Sequence, residues 1–153
     1  YLDHLLLSLR PELKRTRHQL EVHGDRALAI EGFPGAVSQI VTNLVMNALA
    51  HAFDDVQERI GRIEIEFHRD GDALVLSHRD DGVGIAAEHL PHIFEPFFTT
   101  RRDHGGSGLG LSIVYNLVTQ KLGGNITCDS APGEGARFTL RFPATFVRPA
   151  SPL

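Results

Sequence analysis

Residues 80–111 read DDGVGIAAEHLPHIFEPFFTTRRDHGGSGLGL. Glycine clusters at both ends, and charge, proline and three phenylalanines lie between. The segment is longer than an ordinary connection and reads as a functional loop. Its surroundings set the fold. Upstream, RIEIEFHR (62–69) and ALVLSHR (73–79) alternate apolar and polar residues on either side of Asp70-Gly71-Asp72, which predicts a hairpin. Downstream, Ile113, Val114, Leu117, Val118 and Leu122 repeat at helical spacing, predicting a helix over 108–122 that Gly123-Gly124 stops. NITCDS (125–130) and ARFTLRF (136–142) then read as two strands around the turn APGEG.

Further out, Pro34 sits just inside a helix start. From there to about Ala52, Val37, Ile40, Val41, Leu44, Val45 and Ala48 form one apolar face. QLEVH and ALAIE, before that helix, read as short strands. Leu5, Leu6, Leu9 and Leu13 predict a first helix over 3–18, against which Pro11 counts, because an interior proline kinks or ends a helix. The tail VRPASPL (147–153) reads as frayed. Strands with about three covering helices, short hairpins and no regular strand–helix alternation predict a two-layer α/β sandwich with a mixed, mostly antiparallel sheet.

At 153 residues, 42% hydrophobic and 22% charged, the chain has single-domain length and can bury a core. Cys128 is the one cysteine, so an internal disulfide is excluded and a reducing, cytoplasmic setting fits. A net charge of -4 argues against general nucleic-acid binding. No apolar run approaches the roughly 18 residues of a membrane span, so direct membrane contact is not expected. The chain opens at Tyr1 and is expected to be a piece of a longer protein, which could itself be a membrane receptor.

Three elements carry chemistry. Gly106, Gly108 and Gly110 in GGSGLGL open a helix, where free N–H groups and the positive dipole end attract phosphate; a flexible glycine cap fits the same residues. It is neither a P-loop, which needs Lys-Ser or Lys-Thr, nor GxGxxG. Asp80, at a strand end before Gly82 and Gly84, can accept the exocyclic amino group of adenine and would repel the oxygen that guanine offers there. A solvated turn aspartate is the plain alternative. Asn43, Asn47 and His51, four apart, share one helix stripe. An asparagine oxygen is a reasonable Mg²⁺ ligand, and an exposed polar face is the alternative.

Taken together, Asn43-Leu-Val-Met-Asn47-Ala, Asp80-Asp-Gly82-Val-Gly84, IFEPFFTT and Gly106-Ser-Gly108-Leu-Gly110-Leu resemble, in order and interval, the N, G1, F and G2 boxes of the histidine-kinase ATPase superfamily. The F box, Phe94 to Thr100, is similar to that of bacterial sensor histidine kinases. The resemblance implies the Bergerat ATP-binding fold, ATP and Mg²⁺ as ligands, and transfer of the γ-phosphate to a histidine. It implies a helical lead-in over 1–18, a catalytic domain over 19–146 with a mobile lid over 86–107, and a tail over 147–153. By resemblance Asn47 is the metal ligand and Asp80 the adenine reader. Gly82, Gly84 and Ile85 pass close to the nucleotide. His51 stands near the phosphates, and Arg101 or Arg102 takes the place of a phosphate-contacting lysine. Phe94 and Phe97 anchor the lid on the body or on a partner helix. Thr100, Gly106, Ser107, Gly108, Leu109, Gly110 and Leu111 complete the nucleotide contacts. Asn43, Asn47 and Arg101 form the expected catalytic group.

Two departures stand out: Ala50 replaces a common lysine and Ala136 a common threonine. Asn43 also stands where gyrase, the heat-shock chaperone and mismatch-repair ATPases carry a water-activating glutamate, and asparagine is no base at neutral pH. None of the nine histidines, 4, 18, 23, 51, 68, 78, 89, 92 and 104, is followed by Asp or Glu as the family's acceptor is. The expected partners are therefore dimerisation and phosphotransfer helices of a homodimeric parent, with a response regulator downstream. A non-catalytic ATP sensor, a serine kinase of the same superfamily (which the F box disfavours) and a general ATPase (which Asn43 disfavours) are the rivals. Other patterns fail: His78-Arg79-Asp80 mimics a protein-kinase catalytic loop but has Ile85 where asparagine is needed. His89 and His92 lack a third ligand, and Cys128 reads as packed in a strand.

Overall fold

The structure is a computed structural model that describes residues 2–24, 28–30, 34–53, 60–99, 109–143 and 147–149. Its elements are α1 (Leu2–Thr16), β1 (Gln19–Gly24), β2 (Leu28–Ile30), α2 (Pro34–His51), β3 (Arg62–Asp70) and β4 (Ala73–Asp80), then α3 (Gly110–Asn116), β5 (Asn125–Ser130), β6 (Ala136–Pro143) and β7 (Val147–Pro149). A π-helical turn, Leu117–Lys121, extends α3.

Five strands form one sheet in the order β1-β3-β4-β6-β5. β1 runs parallel to β3, and the other neighbours are antiparallel. This is the mixed, mostly antiparallel sheet that the short hairpins imply. Asp70 pairs with Ala73, so Gly71-Asp72 makes a two-residue turn, and Gly71 takes φ 58°, which glycine adopts without strain.

Alternation decides which face is buried. Ile63, Ile65 and Phe67 of β3, Leu74 and Leu76 of β4, and Phe138, Leu140 and Phe142 of β6 form one core with Val37, Ile40, Val41, Leu44, Val45 and Ala48 of α2 and Val114, Val118 and Leu122 of α3. Leu9 brings α1 into the same core. The helices thus cover one face of the sheet, giving two layers.

The first helix forms as expected despite Pro11, and one element differs from the sequence expectation. Pro11 lies inside α1 and does not end it. The carbonyl deprived of a partner belongs to Leu7, which is 57% exposed, and Pro11 is exposed beside it, so water can satisfy that group. Val147–Pro149, expected to begin a frayed tail, pairs antiparallel with Leu28–Ile30 as a second, two-stranded sheet. Its physical reason is backbone pairing: β2 is otherwise a lone strand with N–H and C=O groups to satisfy, and Pro149, which has no N–H, falls at the end of the ladder. No helix among the described residues is long and apolar enough to cross a membrane.

Candidate functional site

Asp80 ends β4 on the buried side of the sheet, in register with Ala136 of β6. Its neighbour Asp81 points the other way, and there its Oδ1 accepts the Arg62 N–H at the start of β3, 2.8 Å away. Strand alternation therefore separates two adjacent aspartates into one inward and one outward carboxylate. Asp80 is only 5% exposed. Burial raises its pKa, and the backbone N–H groups of Gly82 and Ala136 pull the other way; the Gly82 bond is 2.9 Å.

The turn after Asp80 is clamped on two sides. Val83 N–H donates to the Ala52 carbonyl at 2.7 Å, fastening the turn to the end of α2. Gly82 lies so close that a Cβ there would meet the Ala52 oxygen at 2.0 Å. On the other side the β5–β6 turn folds over it. Gly133 N–H donates to Val83 O at 2.7 Å and Gly135 N–H to Gly82 O at 3.0 Å. Gly84 takes φ 77°, and a Cβ there would be 2.0 Å from Ala131 O. Ser130 Oγ accepts the Ile85 N–H at 2.8 Å and donates to Gly135 O.

These contacts shape a cleft of about 320 Å³. Asn47, His51 and Ala52 line it from α2, and Asp80, Val83, Gly84, Ile85 and Ala86 line it from β4 and the turn. His89, Ile93, Phe98 and Thr99 line it from the following segment, with Leu111 from α3 and Ala136 and Phe138 from β6. The volume sits at the low end for small-molecule pockets. One buried carboxylate among apolar walls, with asparagine and histidine at one side, suits a flat heterocycle that offers an N–H donor.

Of the residues singled out in sequence, Asn47, His51, Asp80, Gly84, Ile85 and Leu111 meet in this cleft. Asn43 does not line it; one turn earlier on α2, its amide donates to the Gly110 carbonyl at 3.4 Å. Gly82 packs behind the wall. Leu109 precedes α3 as its N-cap and Gly110 opens the helix, neither in the lining. Ala50 is exposed on α2. Thr100, Arg101, Arg102, Gly106, Ser107 and Gly108 lie outside the described residues.

The first part of the expected lid, through Thr99, is a chain of turns fixed to the body. His92, Glu95 and Phe98 each donate an N–H to a carbonyl three residues back, and Ile93 is buried. Phe94 packs on Tyr115 and Phe138, with ring centroids 5.5 and 6.2 Å apart. Phe97, the second expected anchor, is 59% exposed with φ 67°, whereas Phe98 turns inward against His89 and His92.

Sequence reasoning missed Phe98, Phe138, Ser130 and Gly135. Counting two from Ala136 along β6 would have found Phe138. Ser130 and Gly135 act through a turn that no local pattern marks. The patterns set aside also resolve. His78 is fully buried beside Phe138, Arg79 is exposed on the opposite face, and burial pushes the Cys128 thiol up to about 12, which leaves it unreactive. His92 pairs with Glu95, Nδ1 to Oε1 2.9 Å. Among the described residues no three His, Cys, Asp or Glu side chains converge as a metal site. The donor Asn47 offers is a neutral oxygen, which fits Mg²⁺, an ion that keeps several waters and takes the rest of its shell from phosphates.

The sequence profile described as "Histidine kinase-, DNA gyrase B-, and HSP90-like ATPase" matches residues 32–145. The sensor histidine kinase RcsC of Salmonella typhimurium is 35% identical over 148 residues, which are 93% of this chain and 15% of RcsC. The sensor histidine kinase ZraS of Klebsiella oxytoca is 43% identical over 115 residues, 74% of this chain and 23% of ZraS. The chain thus spans less than a quarter of the length of either relative. Among solved structures, the catalytic domain of the histidine kinase ThkA superposes with a TM-score of 0.75 at 25% identity, covering 92% of this chain and 88% of that one. Full-length ShkA in complex with AMPPNP gives 0.79 at 27% identity over 99% of this chain and 30% of its own.

Proposed function

Since the chain belongs to the histidine kinase-, DNA gyrase B-, and HSP90-like ATPase family, we propose that it is the ATP-binding catalytic domain of a sensor histidine kinase, holding Mg-ATP in the cleft and presenting the γ-phosphate to a histidine on a separate helical domain. The observation that carries the reading is Asp80: a carboxylate, buried in the cleft wall, with backbone donors on one side and room for an N–H donor on the other. An AMPPNP complex among its structural neighbours supports the same ligand class.

In this reading Asp80 accepts the adenine amino group, while Ile85, Ile93 and Phe98 supply apolar walls for the ring. Asn47 holds Mg²⁺, which neutralises phosphate charge when bound, and His51 stands beside the phosphates. Arg101 or Arg102, with the backbone of Gly106, Ser107 and Gly108, would hold the phosphate end. The chain's part in the reaction is positioning and charge neutralisation. The incoming imidazole nitrogen forms the bond to γ-phosphorus as the bond to the bridging oxygen breaks and ADP leaves. Asn43 does not activate water as a glutamate there would, which favours transfer over hydrolysis. The acceptor lies on dimerisation helices of the parent, a homodimer that acts on a response regulator, and the domain works in the cytoplasm.

Calorimetry with ATP, ADP and GTP tests the ligand. ATP and ADP should bind at least about 100-fold tighter than GTP, because guanine sets an acceptor against the carboxylate. Equal affinities would contradict the assignment.

A further inference from the structure

The α2 stripe divides in the folded chain. Asn47 and His51 face the cleft, while Asn43 turns its amide toward α3 and donates to the Gly110 carbonyl at 3.4 Å, across 67 residues of sequence. We propose that Asn43 is a positioning residue, tying the opening turn of α3 to α2 and so setting where Leu111 stands relative to Asn47. This rests on reading the cleft as the nucleotide site.

The opening of α3 is a place where such a tie matters. Its N-cap, Leu109, makes no side-chain capping bond. The bonds within the turn are local: Ile113 N–H to Leu109 O at 3.0 Å, and Ser112 Oγ to the same carbonyl at 2.9 Å. Both shape the turn from within. The helix starts on a glycine, which weakens a turn relative to alanine. Among the described residues nothing outside the helix's own backbone lies within 4 Å of where a Gly110 Cβ would stand. Full burial of the helix begins lower, at Ser112 and Val114. Between the two, Leu111 reaches the cleft wall. Asn47 sits one turn along α2 from Asn43, so the tie acts next to the candidate metal ligand.

A donor is what this contact needs. Asparagine supplies an N–H to the carbonyl; aspartate, of the same shape, supplies only acceptors and would repel it. A metal contact has the opposite requirement, since aspartate would keep or strengthen it. Asn43→Asp therefore separates the two roles. Asn43→Ala serves as a second variant, neutral, so that no added charge can unfold the chain, and the same results are expected of it.

The first measurement is hydrogen exchange on the nucleotide-free chain. Both variants should speed exchange of the Ile113 and Val114 amides about fivefold, the worth of one hydrogen bond, and leave those of Leu76 and Leu140 in the sheet unchanged. The second is ATP titration with and without Mg²⁺, where both variants should lose a similar few-fold in either condition. Wild-type exchange at Ile113 and Val114 in Asn43→Asp would overturn the proposal. So would an affinity loss confined to Mg²⁺ in Asn43→Ala and absent in Asn43→Asp, which would make Asn43 a metal contact. Failure of the wild-type chain to bind ATP would instead overturn the function proposed above, and the exchange result would still decide whether the tie exists.

Discussion

At the scale of single residues, Asp80 shows how folding selects among similar groups. Asp80 and Asp81 are equivalent by composition, and strand alternation sends one to the cleft and the other to the start of β3. Burial raises the Asp80 pKa, so the fold favours its protonated form. The stability this group contributes is present below the ordinary carboxylate pKa and is lost as pH rises through the raised one. At neutral pH the buried charge is thus a cost to the fold. Asp80→Asn should melt no lower than wild type at pH 7 while losing most ATP affinity. Calorimetry beside a thermal melt checks both, and a variant that unfolds would make Asp80 a structural residue. For Asn47→Ala the signature is different: ATP binding should fall far more with Mg²⁺ than without it. Identical losses in the two titrations would remove Asn47 as the metal ligand.

At the scale of elements, the cleft is made by one clamp, the turn after β4 held between the end of α2 and the β5–β6 turn. Two glycines, one from each glycine-bearing box, should then respond oppositely. Gly82→Ala would drive a Cβ into the Ala52 carbonyl and should cost more than about 2 kcal/mol of stability. Gly110→Ala meets no described residue within 4 Å outside its own helix and should be neutral or gain up to about 1 kcal/mol. Urea denaturation of both separates the cases, and equal losses would refute the clamp. The strands and the helices were legible because period and punctuation are local signals, whereas Asp80 read alone fits a solvated turn aspartate and stood out only with the other ordered boxes. The role of Ser130 and Gly135 was not legible, since it arises from a turn meeting another turn 45 to 53 residues away in the chain. The pairing of Val147–Pro149 with β2 was hidden because three residues with a proline carry no period. Pro11 misleads for a similar reason: whether a proline ends a helix depends on which face bears the orphaned carbonyl, and that face is fixed by tertiary packing.

At the scale of the whole molecule, His78 is a buried group that couples the fold to acid pH. Its ring is fully buried against Phe138, among the described residues no other residue offers either nitrogen a hydrogen bond, and burial lowers its pKa from 6.5 to about 4. The unfolded chain therefore binds a proton that the folded chain refuses. Stability should be unaffected by this group above pH 6.5 and fall as pH drops toward 4, by on the order of 3 kcal/mol in all. His78→Leu should flatten that limb and raise stability, because it replaces two unpartnered polar atoms with packing. Denaturation midpoints at pH 7 and pH 5 measure it; an unchanged difference between the two would show that the acid sensitivity lies elsewhere.

The domain as a whole is proposed to be half of a reaction, with a phosphate donor site and no acceptor histidine of the family's kind. Incubation with γ-labelled ATP, alone and with the acceptor helices of its parent, tests that most directly. The chain alone should stay unlabelled and release phosphate very slowly. With the helices present, acid-labile label should accumulate on their histidine, and Asp80→Ala or Asn47→Ala in this chain should abolish it. Strong acid-labile labelling of the chain alone, or none on the helices, would contradict the account.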